Sequence, residues 1–176
     1  GRIDVLVANA AHRNFSRLVD ATAHEWDEML AVNLKGTAFC CRAVLPHMTE
    51  RRAGAIVLVS SVHHLVGRKE MPIYDATKAG MVSLTKSLAI DHAGDNIRAN
   101  AVCPGFVDTQ WMSRNLQADD LAVFMERVAQ ISPLKRLVHA EDVAEAVCWF
   151  ALGGQAITGQ LLVIDGGTHL TIGSPI

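Results

Sequence analysis

The chain has 176 residues, half of them hydrophobic and 19% charged, with a formal net charge of −2. That length holds one domain with a sizeable core, and the charge balance offers no basic field for nucleic acid. No apolar run reaches the ~18 residues of a transmembrane helix, and Gly1-Arg2-Ile3-Asp4 leads into a strand pattern, not a signal peptide.

Residues 4–9 (D-V-L-V-A-N) read as a buried strand ending at Asn9. Residues 12–20 form a polar connection. Thr22-Ala23-His24-Glu25 has the form of a capping box and starts a helix that puts Trp26, Met29 and Leu30 on one face. The helix is expected to run past Asn33 towards Pro46. Asn33 is out of place there, because its side chain competes for backbone hydrogen bonds. A turn at residues 51–54 leads into the apolar run Ala55-Ile56-Val57-Leu58-Val59, a second buried strand. Ser60 and Ser61 therefore sit at its C-terminal end, where open α/β sheets bind ligands.

The loop 62–72 carries His63 and His64. They either line a substrate pocket or are held by backbone hydrogen bonds. Adjacent residues point different ways, so a shared metal is not expected. Helix 72–92 follows, and at i and i+4 Tyr74 and Lys78 share one of its faces. A nearby cation lowers the pKa of a phenol and makes it a candidate general acid/base. The plain alternative is an exposed Tyr and Lys on an amphipathic helix. Ala76, Gly80, Ser83 and Ser87 form a stripe of small residues on this helix, suited either to a subunit contact or to packing inside the domain.

Residues 96–102 read as a third strand, broken at Cys103-Pro104-Gly105 because Pro lacks a ladder donor. Residues 110–132 have the least regular pattern. Within them lie Trp111, Met112, Leu116 and Phe124, of which Trp111 and Met112 either meet an apolar part of a substrate or belong to the core. A helix is expected from Glu141 to Leu152, stopped by Gly153-Gly154, and a last strand over 160–165 before Gly166-Gly167. Cysteines 40, 41, 103 and 148 have no metal-site spacing and read as reduced thiols of a cytoplasmic protein.

Asn9-Ala10 after a strand, Asn33 in a helix, Ser61 thirteen residues before Tyr74-x-x-x-Lys78, Asn100-x-x-x-Pro104-Gly105 and a closing Asp165-Gly166-Gly167 occur in this order. In this the chain resembles the short-chain dehydrogenase/reductase family over nearly its whole length. The resemblance implies an α/β fold: a Rossmann-type, doubly wound, mostly parallel sheet. It implies NAD or NADP as cofactor, with the choice between them unreadable, and a small alcohol or ketone as substrate. It assigns catalysis to Asn33, Ser61, Tyr74 and Lys78, with Lys78 lowering the Tyr74 pKa and Asn33 holding a water of a proton relay. Asn9, Ala10, Ala11, Tyr74, Lys78, Pro104, Gly105, Val107 and Thr109 would meet the cofactor, and no metal would take part. His63, His64, Trp111 and Met112 become substrate-side candidates, under a lid over about 108–135. The small-residue stripe becomes a homodimer or homotetramer contact.

Two features depart from the family pattern. Ala8-Asn9-Ala10-Ala11 stands where the family reads N-N-A-G, so Ala11 adds a methyl where backbone meets cofactor. No glycine-rich turn occurs to hold a pyrophosphate. Against a family length of roughly 250 residues, roughly 70 to 80 residues with that turn and the first strands are expected to precede Gly1. Residues 1–176 would then be the C-terminal portion of one domain, inactive as they stand, with strand 4–9 left as a sheet edge. The alternative is a non-catalytic binding or scaffold protein on the same fold. A hydrolase using Ser61 is disfavoured because no G-x-S-x-G is present.

Overall fold

A computed structural model describes residues 1–113 and 118–171, the side chains of residues 112, 113, 118 and 119 excepted. Four strands form one parallel sheet in the order β1-β2-β3-β6: β1 Val5–Ala8, β2 Gly54–Val59, β3 Ile97–Pro104 and β6 Leu161–Ile164. The pairing is continuous, with Leu6 opposite Ile56, Leu58 opposite Ala101 and Val102 opposite Leu162. All four strands point one way, so their C-terminal ends lie along one edge, and β1 is an outer strand among the described residues.

Strand alternation sends neighbouring side chains to opposite faces. Ile56 and Leu58 face a core built with Cys41, Val44 and Met48 of helix α2 (Thr37–Arg51) and Met81, Leu88 and Ala89 of helix α3 (Pro72–His92). Val57 and Val102 face the other way, against Phe150 of helix α6 (Ala140–Leu152). The sheet is thus covered on both faces, as the even hydrophobicity of β2 requires. Burial of each large apolar side chain here contributes about 1.5–3 kcal/mol.

The capping box forms: the Glu25 amide donates to Thr22 Oγ1 and the Thr22 amide to Glu25 Oε2. Helix α1 (Ala23–Met29) then widens into a π-helical stretch, Leu30–Gly36, before α2 resumes the ordinary pitch. Asn33 lies inside this widened stretch and is fully buried. Short π segments of this kind are concentrated at functional sites.

Three expectations change. Pro104 ends β3 instead of breaking it, because it pairs opposite Ile164 at a strand end and the Gly105 amide donates to the Ile164 carbonyl. The stretch expected to be irregular holds two helices, α4 (Gln110–Ser113) and α5 (Ala118–Ile131). In α5 the i, i+3, i+7 spacing of Leu121, Phe124 and Val128 supplies an inward face. Leu116, named above with the lid, lies outside the described residues. Finally, Val107–Asp108 (β4) and Val138–His139 (β5) form a short parallel pair beside the main sheet.

Gly105 stands where backbone packs on backbone, since a Cβ there would lie 2.6 Å from Asp165 Cβ. Gly105→Ala is therefore expected to lower the stability of the protein by about 1–3 kcal/mol, read from its urea unfolding midpoint. An unchanged midpoint would mean that the Asp165 turn yields freely.

Candidate active site

A cleft of about 710 Å³ opens along the C-terminal edge of the sheet. Its volume falls in the usual range for small-molecule sites. β1 delivers Asn9, Ala10 and Ala11 to it, and the turn after β3 delivers Pro104, Gly105, Val107 and Thr109. β2 delivers Ser61, while α3 presents Tyr74 and Lys78 from one face.

Lys78 is 2% exposed. Its Nζ donates to the Val59 carbonyl (2.8 Å) and lies 3.7 Å from Met81 Sδ, and Ser60 Oγ donates to the Lys78 carbonyl (2.8 Å). Burial disfavours the ammonium and brings its pKa down to about 8. Tyr74 stands over it, the ammonium 5.5 Å from the ring centroid. Ser61 Oγ donates to the Pro104 carbonyl (3.4 Å), accepts from the His63 amide (3.2 Å) and is a polar neighbour of the Tyr74 phenol.

Burial raises the Tyr74 pKa above its ordinary value; the Ser61 side chain and the charges of Arg13 and Arg68 act in the opposite direction. The Lys78 ammonium is turned under the ring towards the Val59 carbonyl, and the charges of Arg13 and Arg68 also pull the phenol towards ionisation.

Asn33 does not reach the cleft. Its Oδ1 accepts from the His12 amide (2.6 Å), and its Nδ2 donates to the His12 carbonyl (2.9 Å) and to Thr77 Oγ1 (3.0 Å). Thr77 Oγ1 in turn donates to the Tyr74 carbonyl (2.8 Å). The widened helix thus ties the loop after β1 to the backbone that carries the phenol.

Of the substrate-side candidates, His63 and Trp111 line the cleft. His63 Nδ1 is 2.6 Å from Asp75 Oδ1, and its ring meets Tyr74 edge-on at 5.6 Å. His64 is not part of the lining; its Nδ1 is 2.6 Å from the Ser61 carbonyl. The side chain of Met112 lies outside the described residues. Sequence reasoning missed Arg13, Arg68 and Phe106 in the lining, and the bridging role of Thr77. No motif marks the arginines, because they reach the cleft from loops.

The chemistry of this lining fits the nicotinamide end of a dinucleotide. A phenol, an ammonium and the Thr109 hydroxyl stand beside a glycine turn at the carboxyl ends of parallel strands. Neither Ala10 nor Ala11 has a positive φ, so the Ala11 methyl carries no backbone strain.

A family model described as enoyl-(acyl carrier protein) reductase matches residues 1–169. The chain belongs to the short-chain dehydrogenase/reductase family. It is 41% identical over 171 residues to 2-(S)-hydroxypropyl-CoM dehydrogenase 3 of Xanthobacter autotrophicus, covering 95% of this chain and 66% of that one. To the 3-oxoacyl-[acyl-carrier-protein] reductase FabG of Thermotoga maritima it is 40% identical over 168 residues, again with 95% and 66% covered. The crystal structure of a gluconate 5-dehydrogenase from Burkholderia cenocepacia in complex with NADP and tartrate superposes with a TM-score of 0.87 at 31% identity, covering 97% of this chain and 66% of that one. The chain spans about two thirds of the length of the curated relatives it matches. Among the described residues no helix is long and apolar enough to cross a membrane.

A lysine whose pKa is lowered in the fold binds fewer protons folded than unfolded between about 8 and its ordinary value of 10.5. Stability therefore rises with pH across that window, by up to about 1.4 kcal/mol per unit. Below it the buried charge costs a constant amount. Unfolding free energies measured from pH 8 to 9 are expected to climb more steeply in the parent protein than in Lys78→Met. Parallel profiles would show that Lys78 keeps its ordinary pKa in the fold.

Proposed function

We propose that this family member is an NAD(P)-dependent oxidoreductase that moves a hydride between a nicotinamide and an alcohol or carbonyl substrate. The observation that carries this reading is the convergence of Ser61, Tyr74 and the buried Lys78 on one cleft at the end of the sheet. Two of the relatives named above are dehydrogenases or reductases by name, and the gluconate 5-dehydrogenase structure contains NADP. When bound, the dinucleotide supplies or accepts the hydride.

The residues that would hold it are Asn9, Ala10 and Ala11, the turn Pro104, Gly105, Val107 and Thr109, and Tyr74 and Lys78. In the reductive direction Ser61 Oγ donates a hydrogen bond to the substrate carbonyl oxygen, and Tyr74 gives its phenolic proton to that oxygen. Burial keeps Tyr74 protonated at neutral pH, as a proton donor must be. Lys78 anchors the nicotinamide ribose. Asn33 holds the loop and α3 in register and belongs to the route that restores the proton. His63 and Trp111 face the substrate.

We also propose a homodimer or homotetramer built on the outer face of α3. Ala76, Ser83 and Ser87 are exposed there, so the stripe is not consumed by packing inside the domain. Gly80 adjoins Leu34 across a shallow groove. Ser83→Arg should shift the sedimentation coefficient to that of a monomer; a coefficient equal to that of the parent would move the contact elsewhere.

Tyr74→Phe is expected to lower turnover roughly a hundred- to ten-thousand-fold while NADH or NADPH still binds by calorimetry. Absence of binding of either dinucleotide, with no turnover of any alcohol or ketone tried, would leave the catalytic reading without support.

A further inference from the structure

The lining of the cleft is unbalanced in charge. Among the described residues it contains three cations, Arg13, Arg68 and Lys78, and neither an aspartate nor a glutamate. The protein as a whole carries a net charge of −2, so this is a local arrangement. Lys78 lies under Tyr74; the two arginines come from the loop after β1 and the loop before α3.

Aromatic rings and hydrogen bonds place both guanidinium groups. Arg13 lies 4.9 Å from the Trp111 ring centroid and 5.4 Å from that of Phe15, and its Nη2 donates to the Trp111 carbonyl (2.6 Å). Arg68 lies 5.0 Å from the Phe106 centroid and 5.8 Å from that of Phe15. Phe15 thus touches both. Such ring contacts hold a guanidinium plane in place.

The charge of Asp75 acts favourably on Arg68, but its carboxylate oxygens are bonded elsewhere. One oxygen is 2.6 Å from His63 Nδ1, and the other accepts the Arg68 backbone amide at 3.0 Å. The guanidinium of Arg68 makes no hydrogen bond or ion pair with the described residues. The two arginines repel each other and both act on Tyr74. Like charges brought together in a partly desolvated cleft are stabilised when an anion enters between them.

We infer that the substrate is an anion: an oxo acid or hydroxy acid whose carboxylate, or an equivalent acidic group, is held by Arg68 with Arg13 while its carbonyl or hydroxyl carbon sits at Ser61 and Tyr74. This inference rests on the oxidoreductase reading above. It selects, among alcohols and ketones, those with a charged end. Trp111 and Phe106 then border the segment between the two ends.

The test pairs 2-, 3-, 4- and 5-oxo acids with their methyl esters in NADH- and NADPH-dependent reduction by the protein. At least one acid is expected to exceed its ester in kcat/KM by roughly ten- to a hundredfold, the range set by hydrogen bonds to a charged group. In Arg68→Gln that ratio should collapse towards one, chiefly through the KM of the acid. Arg68→Lys should recover part of the ratio, since it restores charge without the planar fork. Esters reduced as well as acids, or an Arg68→Gln variant that slows both equally with a shifted pH profile, would overturn the inference. In the latter outcome Arg68 acts through Tyr74. Either outcome leaves the oxidoreductase reading standing, whereas failure to bind either dinucleotide or to turn over any member of the panel would remove both.

Discussion

Burial of Lys78 is the constraint around which the site is arranged. A buried ammonium is tolerated only when its donors find acceptors. Here the nearest one is the last carbonyl of β2, so α3 must pass β2 at one height and one rotation. The Ser60 hydroxyl on the Lys78 carbonyl pins that height from the strand side. Tyr74, one turn earlier, is then carried over the ammonium and against Ser61 without further adjustment. The same alignment explains why Thr77 is placed to bridge Tyr74 to Asn33, and hence why the helix around Asn33 must widen to reach it.

Much of this was legible in the sequence because it is written in local patterns. The apolar run of β2 has no polar face, which only a sheet covered on both sides can accommodate. The capping box at Thr22 named its own helix start. Ser61, Tyr74 and Lys78 were found because their spacing is a property of one strand end and one helix face. Arg13 and Arg68 belong to loops whose path is set by distant contacts, Asn33 on His12 for one and Asp75 for the other. No periodicity announces them. The two helices after Thr109 were missed for a different reason: the apolar spacing of α5 was there to be read, but the many large residues obscured its period. His64 shows the limit of adjacency as a guide, since of two neighbouring histidines one meets Asp75 and the cleft and the other turns back to the Ser61 carbonyl.

The acidity of Tyr74 is set by opposed effects of different reach. Burial resists the phenolate, while the neighbouring Ser61 side chain and the charges of the two arginines favour it. Burial wins in the fold as it stands, which suits a residue that donates a proton. An anion seated between Arg13 and Arg68 would offset part of their field and hold the phenol more firmly in its protonated form. Charge on the substrate and proton donation by Tyr74 are then linked through the same two side chains, even though neither arginine takes part in the proton transfer.

The segment of α4 and α5 shares in this linkage. Trp111 of α4 receives Arg13 through both its ring and its carbonyl, and Phe124 of α5 meets Phe106 edge-on at 5.3 Å while Arg68 lies over Phe106. Beyond α5, Ser132 Oγ donates to the Gly166 carbonyl, and the Leu134 amide donates to the same oxygen. Gly166 has a positive φ, and a Cβ there would run into Ser132, so the end of β6 and the end of the segment are fitted to each other. The segment is thus fastened at its far end to the sheet and at its near end to the arginines. Any shift that opens α4 and α5 must separate Arg13 from Trp111 or Phe106 from Phe124, and so must also loosen the side chains that gather charge beside Tyr74.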